Sequence, residues 1–432
     1  TTVAARTDRE REKGTNMALA EVFEAIAGPD APVEFRAYDG SVCGAPGSDV
    51  KITIRSPVAV SYLAQAPGAL GLARAYVSGH LDVDGDMYIT LSRLSRAQET
   101  NMSLAEKVKL LQSLGGPKVL VPRIPPPPQE VRINRRFLNG RMHSKGRDAH
   151  AISHHYDVSN DFYRLVLGST MTYSCARFES QGQSLDDAQQ AKYELICRKL
   201  GLAPGQRLLD VGCGWGGMVL HAAARHGIAA LGVTLSRPQE ELARKRAAES
   251  GLDGQVEIRL QDYRDLAGSY DAVSSIGMFE HVGRARTAEY FTTLAALLRP
   301  GGRLLNHAIS TPEGASFDRR SFVARYVFPD GELQDVGSVC LGMQKAGLEV
   351  RDVECLREHY ALTLRHWAAN LEANWDAAVA LVGERRARVW RLYMTGSAVS
   401  FEEGEISVHQ VLGVKPDQGA SGMALTRRAW DV

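Results

Sequence analysis

Arg207-Leu208-Leu209-Asp210-Val211-Gly212-Cys213-Gly214-Trp215-Gly216-Gly217 changes character abruptly along its length. Leu208, Leu209 and Val211 read as a buried strand, and the glycines stop it. Met218-Val219-Leu220-His221-Ala222-Ala223-Ala224 then reads as the start of a helix. A strand, a glycine turn and a helix make a nucleotide site, because glycine lets the backbone come close to a ligand. The dinucleotide fingerprint is G-x-G-x-x-G with an acid about 20 residues further on. Here the pattern is Asp-x-Gly-x-Gly-x-Gly, with the acid on the strand itself.

Outward from the turn, a helix at 185–200 leads in, and strand and helix patterns alternate beyond it. Strands are expected at 229–235, 256–260, 270–276 and 303–309, and helices at 238–250 and 287–298. That alternation predicts an α/β fold, a Rossmann-like parallel sheet with helices on both faces. Leu298-Arg299-Pro300-Gly301-Gly302 reads as a helix end and turn, and 316–335 as a lid or insertion. Helical patterns return at 360–383 and 386–399, and a strand at 406–414. The second domain is therefore 150–432, with helical insertions.

Residues 17–121 read as a small α+β domain behind a flexible tail at 1–16. A helix is expected at 18–27, strands at 33–38 and 50–54, helices at 57–63 and 70–77, and a loop at 81–86. His80, Asp82, Asp84 and Asp86 suggest a metal loop, but Gly85 separates the last two acids and no Glu stands at the twelfth position. A solvated turn fits better than an EF-hand. Pro122 and Pro125 to Pro128 open a stiff linker, 122–149, that continues with Arg132, Arg135, Arg136, Arg141, Lys145 and Arg147 among Ile133, Phe137, Leu138 and Met142. Two readings stay open for it: a solvated connector, or a contact with anionic lipid headgroups.

Composition bounds the rest. The 432 residues are 44% hydrophobic and 23% charged with a net charge of +1, so no nucleic-acid partner is expected. The six cysteines show no paired spacing, which fits a reducing compartment and predicts no zinc or other metal centre. With no apolar run of about 18 residues, the chain is expected to be cytoplasmic.

Six ordered motifs carry a resemblance. They are His155-Tyr156-Asp157-Val158-Ser159-Asn160, Met171-Thr172-Tyr173-Ser174-Cys175-Ala176, Leu209 to Gly216, Gly232-Val233-Thr234-Leu235-Ser236, Met278-Phe279-Glu280-His281-Val282-Gly283 and Leu298 to Gly302. The glycine turn resembles motif I of the class I S-adenosylmethionine (SAM) methyltransferases. Together the motifs, over about 150–412, resemble the cyclopropane-fatty-acyl-phospholipid synthase family, and the first domain resembles the lipid-associated domain of its long bacterial members. The two-domain layout is similar both to enzymes that make cyclopropane phospholipids and to those that place a methylene or methyl branch at carbon 10 of an oleoyl chain, on the route to tuberculostearic acid.

The resemblance implies a mechanism. A cis alkene in a lipid tail is a poor nucleophile, so it must be held in line with the SAM methyl at about 3 to 3.5 Å. Methyl transfer leaves a carbocation, and a base removes a proton to give a cyclopropane or, after a hydride shift, a methylene branch. The family uses bicarbonate as that base, and its ligands carry over as Cys175, Glu280, His307, Ile309 through its N–H, and Tyr360. For SAM, Gly212, Gly214 and Gly216 shape the turn and Asp210 orients the methionine ammonium. Tyr156, Tyr173 and Ser174 close over the methionine end, Thr234 and Gln239 reach the ribose, and Asp262 and Tyr263 flank the adenine. Taken singly, Cys175, His307 and Tyr360 read as core and Glu280 as a helix start, while Cys213 is only a small residue in the turn. Arg177 departs from the aromatic residue expected there and could bind a headgroup or pair with Glu179.

The expected substrate is the unsaturated acyl chain of a phospholipid. The expected setting is peripheral contact with the inner face of the membrane, as a homodimer. Reducing a methylene branch would need a separate NADPH-dependent partner, since this chain has no nicotinamide fingerprint. The methylene-branched product is favoured over the cyclopropane. A small-molecule amine or hydroxyl methyltransferase, and an inactive SAM- and lipid-binding sensor, are the rival readings.

Overall fold

The computed structural model describes residues 17–97, 123–131 and 159–429, apart from 316, 317, 319 and 330. The tail at 1–16, the basic residues from Arg132 to Arg147 and Tyr156 lie outside the described residues. The chain divides into two compact units: Thr1–Val131 with Arg320–Tyr326 and Gly383–Gly396, and the remainder. Among the described residues no helix is long and apolar enough to cross a membrane.

The first unit holds helices α1 (Leu19–Ala27), α2 (Pro57–Gln65), α3 (Ala69–Val77) and α4 (Met87–Ala97) and strands β1 (Glu34–Ala37), β2 (Val42–Gly44), β3 (Lys51–Ile54) and β4 (Leu81–Asp84). The sheet order is β2-β1-β3-β4, with β1 parallel to β3 and both outer pairs antiparallel. The expected loop at 81–86 is therefore corrected to a strand. Leu81 and Val83 are buried while Asp84 is exposed, a period of two that the run of acids disguised. Asp82 holds the guanidinium groups of Arg55 at 2.6 Å and Arg388 at 3.4 Å.

The proline stretch belongs to this unit and is not a free connector. Pro125 accepts a hydrogen bond from the Tyr62 hydroxyl at 2.9 Å, and the Ile124 amide donates to Gln65. Glu130, only 6% exposed, takes two hydrogen bonds from Arg74 at 2.6 and 2.7 Å and one from the Tyr326 hydroxyl at 3.2 Å.

The second unit is built on seven strands: β5 (Arg207–Val211), β6 (Ala229–Thr234), β7 (Val256–Leu260), β8 (Tyr270–Ile276), β9 (Leu298–Ser310), β10 (Glu349–Cys355) and β11 (Ser407–Val414). Their order is β10-β11-β9-β8-β5-β6-β7, parallel throughout except for β11, which runs against both neighbours. The helices are α5 (Asn160–Leu167), α6 (Leu185–Leu200), α7 (Gly217–His226), α8 (Arg237–Glu249), α9 (Thr287–Leu297), α10 (Val336–Lys345), α11 (Arg357–Ala373) and α12 (Trp375–Val382). Side chains alternate across the sheet. Leu209 and Leu231 pack with α9 and α10 on one face, and Leu208 and Ala230 with α6, α7 and α8 on the other. This is the layered α/β architecture that the sequence predicts.

Two local details matter for the site. Helix α6 is pinned by Ser184, whose hydroxyl accepts the Asp187 amide, and by Gly201 in the left-handed region. At the start of β9 the register jumps, so that Leu298 and Arg303 face Tyr270 and Ala272 and the Pro-Gly-Gly turn bulges out.

The buried Glu130 network predicts a specific cost. Glu130→Ala leaves the Arg74 guanidinium largely buried without its carboxylate, and urea unfolding should report a loss of about 3–5 kcal/mol. A loss below about 1 kcal/mol would show that the ion pair does not hold the segment.

Candidate active site

Strand β5 delivers Asp210 and Val211 to the end of the sheet where the strand order reverses, the usual ligand crevice of such sheets. The turn is held against β6 because the amides of Gly212 and Cys213 both donate to the Val233 carbonyl, at 2.9 and 3.0 Å. Gly212 has φ +79°, and a Cβ there would stand 3.1 Å from the Met278 side chain. A Cβ on Gly217 would stand 2.1 Å from the Tyr193 hydroxyl. No larger residue fits at Gly217 unless α6 shifts away from α7.

The resulting cavity opens to solvent and encloses about 900 Å³ of space when its mouth is included. Of the residues expected around the cofactor, Tyr173, Ser174, Asp210, Gly212, Gly214, Thr234, Gln239 and Tyr263 line it. Gly216 does not; it caps α7 from outside, against Ala243. Asp262 does not line the cavity either. Its carboxylate is committed to the Arg264 amide and guanidinium at 2.6–2.9 Å, and it lines a smaller neighbouring recess.

The wall chemistry is consistent with a polar, cationic guest. Asp210 is 2% exposed and accepts a hydrogen bond from Ser274 at 2.6 Å, and burial pushes its carboxyl up to about 6. Thr234 donates to the Gln239 carbonyl at 2.8 Å, which leaves the amide nitrogen as that side chain's donor end. Tyr173 packs between Tyr163 and Trp367, at centroid distances of 5.8 and 5.3 Å.

The five residues expected around the base fall into two groups. Glu280 sits in the short turn Phe279–His281, and its Oε1 accepts the Ile309 amide at 2.7 Å. Its other oxygen, Oε2, is buried without a partner among the described residues, and burial raises the carboxyl to about 7. His307 precedes Ile309 by two on β9, so both side chains lie on the same face of the strand. The Gln410 side-chain amide, opposite on β11, lies 3.3 Å from His307 Nδ1, which leaves Nε2 as the ring nitrogen turned away from β11. That nitrogen is also buried without a partner among the described residues. In the second group the Cys175 thiol faces the Leu356 carbonyl at 3.6 Å, and the same carbonyl accepts the Tyr360 amide. Burial pushes the thiol up, so it stays protonated. The Tyr360 ring packs on Phe401 at 4.6 Å and on Trp367.

A residue not singled out from the sequence joins the groups. Lys192 of α6 is fully buried, donates to Ser174 Oγ at 2.9 Å, and has no ion-pair partner among the described residues. Burial lowers it to about 7, while its charge acts on Cys175, Asp210 and His307. Met278 and His281 also line the cavity. Both sit in a quoted motif, which was the available signal for them. Gln410 had none. Arg177 pairs with Glu179.

These residues can do two things chemically. The cavity can hold a cofactor with an ammonium and a ribose. The orphaned Glu280 oxygen and His307 Nε2 can serve a small anion that both donates and accepts a proton. A family model described as mycolic acid cyclopropane synthetase matches residues 143–411. A "probable fatty acid methyltransferase" of Mycobacterium tuberculosis (strain H37Rv) is 47% identical over 423 residues, covering 96% of this chain and 98% of the relative. The tuberculostearic acid methyltransferase UfaA1 of the same strain is 38% identical over 280 residues, 62% of this chain and 65% of the relative. Among solved structures, mycolic acid cyclopropane synthase CmaA1 complexed with SAH and CTAB superposes with a TM-score of 0.58. It is 35% identical, over 61% of this chain and 97% of that one.

Glu280 carries a pH signature. Its folded carboxyl is raised to about 7 from 4.5, so the folded protein keeps a proton that the unfolded chain loses. The stability this contributes is complete below about pH 4.5 and disappears as the pH rises through about 7. Relative to wild type, Glu280→Gln should therefore be several degrees more stable in calorimetric melting at about pH 8 than at about pH 5. An equal difference at both pH values would mean that the carboxyl is not perturbed.

Proposed function

The chain belongs to the mycolic acid cyclopropane synthetase family of SAM-dependent fatty-acid methyltransferases and cyclopropane synthases, and we propose that it transfers a C1 unit from SAM to the cis double bond of an unsaturated phospholipid acyl chain. The proposed product is methylene-branched, of the 10-methylene stearoyl type. The observation that carries this reading is that Glu280 Oε2 and His307 Nε2 are buried without a partner among the described residues, on segments next to cavity-lining residues: Met278 and His281 flank Glu280, and the Gly277 amide donates to the His307 carbonyl. A methyltransferase acting on an amine or hydroxyl has no need of a buried anion site, because its substrate sheds its own proton.

SAM would be held by Asp210, Gly212, Gly214, Thr234, Gln239 and Tyr263, and supplies an electrophilic methyl on sulfur. Bicarbonate would be held by His307, Glu280 and Tyr360, with Cys175 and Ile309 behind them, and supplies the base that accepts the final proton. The chain's own residues do the rest. Gln410 would hold His307 through Nδ1 and leave Nε2 for the anion. The Ile309 amide fixes Glu280 so that its second oxygen can accept an O–H. The aromatic faces of Tyr173, Tyr360 and Trp367 exclude water and favour a cationic reaction centre, each by on the order of 1 kcal/mol. Branching is supported by the likeness to a relative named tuberculostearic acid methyltransferase. The cyclopropane outcome is the second reading, supported by the likeness to CmaA1. Peripheral binding to anionic lipid through the basic residues around Arg135 and Arg136 is part of the proposal.

Expression in a bacterial host that lacks such enzymes decides the function. Gas chromatography and NMR of the host's fatty acids should reveal a new chain with an exocyclic methylene. A cyclopropane signal would select the second reading, and an unchanged lipid profile without S-adenosylhomocysteine formation would refute both. Glu280→Gln and Tyr360→Phe should each lower kcat by on the order of 10²-fold or more while SAM affinity stays within a few-fold. Intact turnover in both variants would favour a small-molecule substrate.

A further inference from the structure

Helices α6 and α7 carry a second polar cluster, on residues that take no part in the cofactor cavity. Helix α6 contributes Gln190, Glu194 and Cys197, and α7 contributes His221 and His226. The Cys197 thiol and one ring nitrogen from each histidine lie within 4.8 Å of one another. Nε2 of His221 and Nε2 of His226 each lie 3.2 Å from the same carboxylate oxygen, Oε2 of Glu194. The other oxygen of Glu194 accepts the Arg198 guanidinium at 2.9 Å, which fixes the carboxylate in place.

The Glu194 carboxylate faces both imidazoles, and the Gln190 side-chain amide meets the far side of His221, 2.8 Å from Nδ1. The two Nε2 atoms and the Glu194 oxygen thus converge, and a cation among them would replace shared protons with metal bonds, while an amide group on the far ring nitrogen is the usual outer support of a metal-bound histidine.

The distances agree. Zinc bonds of about 2.0–2.2 Å to nitrogen and oxygen place neighbouring tetrahedral ligands about 3.3 Å apart, against the 3.2 Å seen twice here. A thiolate at about 2.3 Å from the ion would sit about 3.6 Å from each nitrogen, reached from the present spacing by a side-chain movement of roughly 1 Å. The side chain of Glu194 is 31% exposed and that of His226 18%, which opens a path from solvent, while Cys197 closes the inner side.

We propose that Cys197, His221 and His226 form a site for a thiophilic divalent cation, zinc by its donor set, that clamps α6 to α7, with Glu194, bonded to both imidazoles, turning in as the fourth ligand when the ion binds. On binding, the Cys197 S–H bond breaks, a metal–sulfur bond forms and the proton leaves to solvent. The clamp would steady one wall of the cofactor cavity, since Tyr193 of α6 and Gly217 of α7 both line it. The scattered cysteines pointed away from zinc because the ligands are one cysteine, one acid and two histidines, with spacings set by two packed helices.

Cobalt(II) reports such a site directly. Full-length, tag-free protein, stripped with a chelator and titrated with Co²⁺, should bind one ion per chain with a near-ultraviolet thiolate-to-cobalt band and visible bands of tetrahedral cobalt, all displaced by Zn²⁺. Cys197→Ser should abolish the thiolate band. His226→Gln, at a partly exposed position, should weaken binding at least tenfold, and Cys355→Ser, at an exposed thiol elsewhere, should change neither. Absence of the band in the wild type, its survival in Cys197→Ser, or unaltered affinity in His226→Gln would each overturn the proposal and leave a hydrogen-bonded cluster only.

Discussion

A carboxyl oxygen sealed from water must be served by a partner, and only one of the two oxygens of Glu280 is served by the protein. The Ile309 amide holds Oε1, and nothing among the described residues meets Oε2. Leaving such a group unmet costs about 1–3 kcal/mol, more if it is charged, so the geometry is kept at the expense of stability. The surrounding structure enforces it. The Gly277 amide donates to the His307 carbonyl, tying the end of β8 to β9, and the Glu280 carbonyl accepts the Glu332 amide. Antiparallel β11 then sets Gln410 across from His307, where its amide meets Nδ1 of the ring. The one reversed strand thus shapes the candidate site as well as the sheet.

The same desolvation governs the charges around the cofactor cavity. Asp210 is pushed up to about 6 and Lys192 down to about 7, two buried groups that attract one another weakly across Ser174 and Ser274. A cofactor with a sulfonium and an ammonium adds positive charge here. It would favour the ionised form of Asp210 and the neutral form of Lys192, so the site's net charge adapts to its guest. Proximity of Lys192 to His307 works in the same direction as burial and keeps that imidazole neutral.

Strongly periodic elements were legible in the sequence. The helix at 185–200 and the strands at 256–260 and 270–276 agree with the structure residue for residue, because each has an unbroken apolar period and a clear stop. Strand β4 was hidden by its acids, and β2 is too short for a period to show. Arg320–Tyr326 and Gly383–Gly396 lie far along the chain yet group with the first unit, a tertiary fact with no local signature. At the site, most residues inside ordered motifs line the cavity. That the Asp262 carboxylate is bound by Arg264 and lines an adjoining recess has no local signature. Lys192 and Gln410 were missed because a lysine in a helix and a glutamine in a strand ordinarily face water, and only the packing buries them.

The central claim is that Glu280 and His307 wait for one small anion that acts as the base. Turnover of purified enzyme with SAM and vesicles of an unsaturated phospholipid, in buffer freed of carbon dioxide, tests it most directly. Activity should fall well below that in ordinary buffer and return in a saturable way when bicarbonate is added, with no such recovery in Glu280→Gln. Undiminished turnover in the depleted buffer would contradict the claim.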